Sequence, residues 1–233
     1  MMNRNGNTYT FLYAAVMVVL VAAVLASVSI ALKPRQKRNY EIEKKQSILA
    51  SVNIETTAKT AEKIYAEKVV KEYLVNTKGE VIEGDAFNTD LKKERAKAPD
   101  KMALPVFECQ TDDGIKYVLP VRGTGLWGPI WGFIALNNDM NTIYGATFDH
   151  EGETPGLGAE ISTPAFQEPF KGKTIFDKSG KLISIIVAKA GQSAPAEHKV
   201  DAISGGTITS KGLQKMLFDD FTSYKAFLTK KKL

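Results

Sequence analysis

Residues 11–32 read FLYAAVMVVLVAAVLASVSIAL, and no charged side chain lies between Arg4 and Lys33. As a helix, about 22 residues at 1.5 Å each span roughly 33 Å, the thickness of a bilayer's hydrocarbon core. A secretory signal has a shorter apolar region, about 7–15 residues, followed by a small-residue cleavage site. Here the run is longer, the AVLAS of residues 23–27 matches such a site only loosely, and basic residues follow. An uncleaved, single-pass transmembrane helix over residues 11–32 is therefore expected, with residues 1–10 as a short cytoplasmic tail. The local charges argue for the opposite direction. Lys33, Arg35, Lys37 and Arg38 follow the run, against only Arg4 and the amino terminus before it. Counted by the positive-inside rule, the rest of the chain would stay in the cytoplasm.

That remainder is about 200 residues, enough to bury one core. The whole 233-residue chain is 44% hydrophobic and 24% charged, a globular balance. The net charge of +5 is modest. Apart from the tract after the apolar run and the lysines at 230–232, the basic residues are scattered, with no basic stripe among aromatics, so no nucleic acid partner is expected. Cys109 is the only cysteine and can form no internal disulfide. His150 and His198 are distant from it and from each other in sequence, so no metal site is expected and Cys109 reads as a small core residue.

Pro34 is expected to break the helix or start a new segment. Residues 33–100 are expected to form a helical and linker region that packs on the domain. Apolar spacing over residues 40–74 suits two amphipathic helices, broken near residues 51–54, with Thr56 and Thr57 as caps. Residues 76–80 form a turn, and a Lys-rich surface segment runs on to about residue 101. From there to residue 233 the pattern turns β-like: strands over 116–121, 131–136, 142–149 and 182–189, a short helix over 163–170, and a C-terminal helix. In that last helix, Leu213, Met216, Leu217, Phe221, Tyr224 and Phe227 make one apolar stripe. The fold class is α+β, with a largely antiparallel sheet and flanking helices. No catalytic triad, paired carboxylates or dinucleotide-binding βαβ unit is recognisable, so the chain is not expected to oxidise NADH alone.

The segment that carries chemistry is DAISGGTITS, residues 201–210. It is a loop of small residues leading into a helix, where backbone amides and the helix dipole favour an anion. Ser204, Thr207, Thr209 and Ser210 supply hydroxyls, and Gly205 and Gly206 leave Thr207 uncrowded. The same residues also suit an ordinary N-cap turn closed by Asp201 or Ser204.

The loop resembles the flavinylation motif of membrane redox complexes: Asp, two variable residues, Ser or Thr, Gly, Ala, Thr. Asp201, Ser204, Gly205 and Thr207 match; Gly206 stands where alanine is usual, and Ala202 where glycine is common. Two further loops are similar to family hallmarks: GTGLWGPIWGFIAL, residues 123–136, and DHEGETPGLG, residues 149–158. Together with the N-terminal helix, these place the chain close to the FMN-binding C subunits of the sodium-translocating NADH:quinone oxidoreductases. The G subunits of Rnf complexes share this architecture and are the alternative, and a membrane-anchored scaffold without flavin is a third.

The resemblance implies FMN joined as a phosphoester to Thr207 by a flavin transferase, which takes FAD and releases AMP. It also implies an electron-relay subunit of a Na+-exporting complex. The implied partners are a membrane flavin subunit, iron–sulfur membrane subunits and an NADH-oxidising subunit. The domain would then be periplasmic on a bacterial inner membrane, against the local charge count. The two glycine-rich loops would take the flavin ring, with Leu126, Trp127, Gly156, Leu157 and Gly158 against it and Glu153 and Thr154 as polar contacts. Ser204 and Thr209 would bond the phosphate or cap the helix.

Overall fold

The computed structural model describes residues 6–231, so Arg4 and Lys232, invoked above, lie outside it. The chain divides into two compact units, Met1–Lys44 and Lys45–Leu233. Helix α1, Asn7–Ser51, holds the apolar run, and Pro34 lies inside it rather than at its end. A proline costs one backbone bond, to the carbonyl of residue 30, and the bonds on either side carry the helix through. Along residues 11–32 the large apolar side chains are exposed, from Phe11 at 75% to Leu32 at 39%. The helix is long and apolar enough to cross a membrane, and its most apolar window has no share buried within the protein. It ends at a left-handed Asn53 (φ 60°), with the amide of Ile54 donating back to the Leu49 carbonyl at 3.0 Å. That is the closure expected where asparagine takes the position just past a helix.

In the second unit, α2 (Ala61–Lys68) is followed by β1 (Val69–Val75) and β2 (Val81–Ile82). Residues 69–74 are thus strand, where helical spacing was expected. The β-branched pair Val69 and Val70 favours the pleated form. The position that begins α2 is Thr60, not Thr56 or Thr57, with the Thr57 amide donating to its hydroxyl at 3.0 Å. A short α3 (Leu91–Glu94) and a 3-10 turn (Pro99–Lys101) lead to β3 (Leu104–Thr111), β4 (Gly114–Thr124), β5 (Pro129–Leu136) and β6 (Ile143–His150). The six-stranded sheet has the order β2-β1-β3-β4-β5-β6, with every pair antiparallel. After α4 (Pro164–Gln167), β7 (Ile186–Ala188) and β8 (Lys199–Asp201) pair in parallel, and α5 (Thr207–Lys231) ends the chain.

Both faces of the sheet are covered at its centre, which explains why β3, β4 and β5 carry long runs of buried residues. Val106, Tyr117, Leu119, Val121, Ile130 and Ile134 point to a core shared with α5. The alternate residues Phe107, Cys109, Val118, Phe133 and Ala135 point to a second core that holds Ile48, Leu49, Val52 and Tyr65. Burial pushes the Cys109 thiol up to about 12, so it remains a thiol and packs as the apolar residue the sequence suggested. The α5 stripe is buried as its spacing required.

The strand expected over residues 182–189 shortens to β7 alone. Ser184 is left-handed (φ 66°), and the amides of Ile183 and Ser184 both donate to the Ile175 carbonyl at 2.9 Å. Two consecutive amides on one acceptor form a bulge, which separates the isolated bridge of Leu182 with Phe176 from the parallel pairing that starts at Ile186.

Candidate functional site

Three loops converge at the start of α5. Residues 201–206 lead into the helix from β8, residues 125–128 join β4 to β5, and residues 151–158 follow β6. In the first loop, a left-handed Gly205 (φ 74°) turns the chain, and the Gly206 amide donates to the Ile203 carbonyl at 3.0 Å. The Ser210 amide donates to the Gly206 carbonyl at 2.9 Å, which makes Gly206 the capping position. Glycine brings no side-chain oxygen to that role, so the amides of Thr207, Ile208 and Thr209 stay open to an anion. Neither Asp201 nor Ser204 closes this turn: Asp201 is exposed with its carboxylate 3.3 Å from Lys199 Nζ, and Ser204 is exposed in the turn itself.

The hydroxyls of the loop differ sharply. The Ser210 hydroxyl is buried and accepts from the Ile203 amide at 3.2 Å. The Thr209 hydroxyl is buried and donates to Glu153 Oε2 at 2.5 Å. Thr207, the first residue of α5, is only half-buried.

Glycines bring the other two loops close. A Cβ at Gly205 would lie 2.6 Å from Leu157 Cδ2, and one at Gly206 would meet the Ile203 side chain at 2.9 Å. On the other side, Gly212 allows α5 to touch the Thr124 carbonyl, and Gly123 lies under the Met216 side chain. An added methyl at position 212 would collide with backbone, which cannot rotate away. Gly212→Ala is expected to cost about 1–3 kcal/mol as overpacking, measured by thermal melting, and to displace the start of α5 from residues 124–125.

Leu126, Trp127, Leu157 and Ile208 are 47%, 68%, 41% and 55% exposed. Large apolar side chains exposed on two neighbouring loops and on the first turn of α5 mark a binding surface more than a plain solvent face. A Cβ at Gly152 or Gly156 would meet nothing within 4 Å, so the loop is open at those two positions. The Thr154 carbonyl accepts from the amides of Leu157 and Ala159, both at 3.1 Å, which folds this loop back on itself. Gly156 is left-handed (φ 74°), its amide donates to Glu160 Oε1 at 3.0 Å, and Gly158 is buried. A reachable hydroxyl, free helix-terminal amides and exposed apolar walls make a donor set suited to a phosphate attached to a flat, apolar group.

Sequence reasoning brought these residues to one place but missed what ties them. The bond between Glu153 and Thr209 joins positions 56 apart, which no local pattern reveals. Asp220 was also missed, although a signal existed. It falls at the helical spacing of the buried stripe, and the structure buries it to 1% exposure. Its Oδ1 accepts from Arg95 Nε at 3.1 Å, and its Oδ2 from the Arg122 amide at 2.9 Å.

The profile of an FMN-binding domain family matches residues 125–219, the stretch that holds all three loops. The C subunit of the Na(+)-translocating NADH-quinone reductase of Pseudomonas aeruginosa is 32% identical over 99% of this chain and 99% of its own length. Its counterpart in Neisseria meningitidis is 32% identical over 91% of this chain and 88% of its own. Among solved structures, the C subunit of the same reductase from Parabacteroides distasonis is 48% identical with a TM-score of 0.80, covering 85% of this chain and 97% of that one. The NqrC of Shewanella oneidensis is 29% identical with a TM-score of 0.69, covering 85% and 99%. With likeness along nearly its whole length and a site built where the FMN-binding profile falls, this chain belongs to the family of Na(+)-translocating NADH-quinone reductase C subunits.

Proposed function

We propose that this protein is the electron-relay subunit of a sodium-translocating NADH:quinone oxidoreductase and holds FMN through a phosphoester on Thr207. The observation that carries the covalent part is the contrast among hydroxyls. Thr209 and Ser210 are buried and committed to protein partners, and Ser204 sits in the turn ahead of the helix. Thr207 alone combines a reachable hydroxyl with the open amides of a helix start. The relatives named above are quinone-reductase subunits, which favours this reading over an Rnf-type subunit, and the FMN-binding profile disfavours a scaffold without flavin.

FMN, when bound, supplies reversible electron acceptance; the protein supplies position and electrostatics. The Thr207 oxygen forms the ester bond to the flavin-side phosphorus of FAD, AMP departs with the other phosphate, and the hydroxyl proton is released to the medium. The amides of residues 207–209 then face the phosphate. Leu126, Trp127 and Leu157 offer apolar contact to the ring and keep water from part of its surface. Thr154 offers a hydroxyl at the loop's exposed edge. Electrons would arrive from a membrane iron–sulfur centre and leave to the flavin of a neighbouring membrane subunit.

Coexpression with a flavin transferase tests this directly. The expected product gains the mass of one FMN less one water, carried on the peptide of residues 200–211. A colourless protein of unmodified mass would overturn the proposal.

The domain is proposed to face the periplasm, anchored by α1 in the inner membrane. The basic residues after the apolar run oppose this, but large domains translocate largely regardless of flanking charge. An alkaline phosphatase fused after residue 233 is expected to be active in cells, and a fusion silent there but active on lysis would reverse the orientation.

A further inference from the structure

Glu153 is 5% exposed, in a loop whose neighbours Glu151, Gly152 and Thr154 are all exposed. Each oxygen of its carboxylate has a partner. Oε1 accepts from the Trp127 amide at 2.8 Å, and Oε2 accepts from the Thr209 hydroxyl at 2.5 Å. Its own amide donates to His150 Nδ1 at 3.2 Å. The space around it is cut to fit. A Cβ on Gly125 would strike Oε1, and one on Gly158 would strike Oε2 and the Thr209 hydroxyl. One carboxylate thus fastens three segments that each supply part of the site: the loop of Leu126 and Trp127, the loop of Leu157, and the first turn of α5.

Two features exceed what a structural tie requires. The first is charge. No cation pairs with Glu153 among the ion pairs of the described residues. Burying a carboxylate on neutral donors is costly, offset here by two hydrogen bonds and the positive end of α5. The second is the identity of a partner. Thr209 is the same residue type as Thr207, two positions along, and Glu153 removes its hydroxyl from reach.

We propose that Glu153 is a positioning residue of the flavin site, which holds Thr209 out of reaction so that flavin is joined at Thr207 alone and which sets a carboxylate charge within that site. This rests on the reading of Thr207 as the acceptor. Negative charge nearby disfavours the gain of an electron, so Glu153 lowers the flavin's midpoint potential.

The test uses full-length protein coexpressed with the transferase. Glu153→Gln keeps size and one hydrogen bond but removes the charge. Flavin is expected to remain on Thr207 while its midpoint potential moves positive. Glu153→Ala also frees Thr209. Flavin per protein is expected to fall, and fragment masses of peptide 200–211 are expected to place part of it on Thr209. Adding Thr209→Val to Glu153→Ala is expected to return the label to Thr207 only. Melting of each variant expressed without the transferase shows whether the unmodified domain is folded; if Glu153→Ala is not, the potential of Glu153→Gln decides. Wild-type potential in Glu153→Gln, or wild-type occupancy and a single labelled threonine in a folded Glu153→Ala, would overturn the proposal. Wild-type protein without flavin would instead remove the Thr207 reading on which it stands.

Discussion

Thr207→Ala is expected to reduce covalent flavin to background, leaving a protein that shows no in-gel flavin fluorescence after denaturation. The loss should be complete rather than graded, because no other hydroxyl of the loop is both reachable and placed against the open amides of α5. Ser210 is committed to the Ile203 amide and Thr209 to Glu153. Thr207→Ser keeps an oxygen at the same place and is expected to retain flavin. The alanine variant should melt within about 0.5 kcal/mol of the unmodified wild type, since a half-buried residue away from the core carries little of the stability. Denaturation-resistant fluorescence in folded Thr207→Ala would move the acceptor elsewhere.

Asp220 carries the second large effect. It sits on the buried face of α5 and draws together three segments: its own helix, Arg95 just after α3, and the Arg122 amide in β4. Burial raises its carboxyl from 3.8 to about 7, against the pull of Arg95 and the Arg122 amide, with Asp219 adding to the rise. A carboxyl that holds its proton more tightly when folded gives its stability at low pH. That contribution is full below the unfolded value near 4 and is lost as pH rises through about 7. The wild-type domain is thus expected to lose stability from pH 5 to pH 8 relative to Asp220→Asn, whose side chain cannot ionise. Parallel melting curves for the two across that range would contradict the assignment. Asp220→Ala strands the Arg122 amide and the Arg95 guanidinium, and is expected to cost about 3 kcal/mol.

How much of this was legible beforehand depends on the distance over which each feature is encoded. The apolar run of α1 and the α5 stripe are local patterns with strong periods, and both elements formed where expected. The strands at 116–121 and 131–136 were found somewhat short and that at 142–149 one residue early, because apolar runs bounded by Gly and Asn turns signal strands without marking their frayed ends. Residues 69–74 were misread because Val69, Val70 and Tyr73 satisfy helical and strand spacing alike. Only pairing with β3 decides between them. Pro34 was given too much weight, since one lost bond does not end a long helix. At the site, the three loops were recognisable as segments, and Thr207 stood out by resemblance. The tether through Glu153, the tight seat of Gly212 and the buried Asp220 come from contacts across the fold, and only Asp220 left a trace in the local pattern.

The convergence of loops at Thr207 also orders events in the protein's life. The threonine exists in the nascent chain, but its surroundings do not: the Trp127 amide, Glu153 and Thr209 meet only once the sheet has closed and α5 has docked. Under the proposed periplasmic placement and Thr207 linkage, a chain that crosses the membrane extended would offer the transferase no finished acceptor until it had folded on the far side. Flavin then acts as a certificate of maturation, and unmodified copies in a cell would count the molecules that failed to mature.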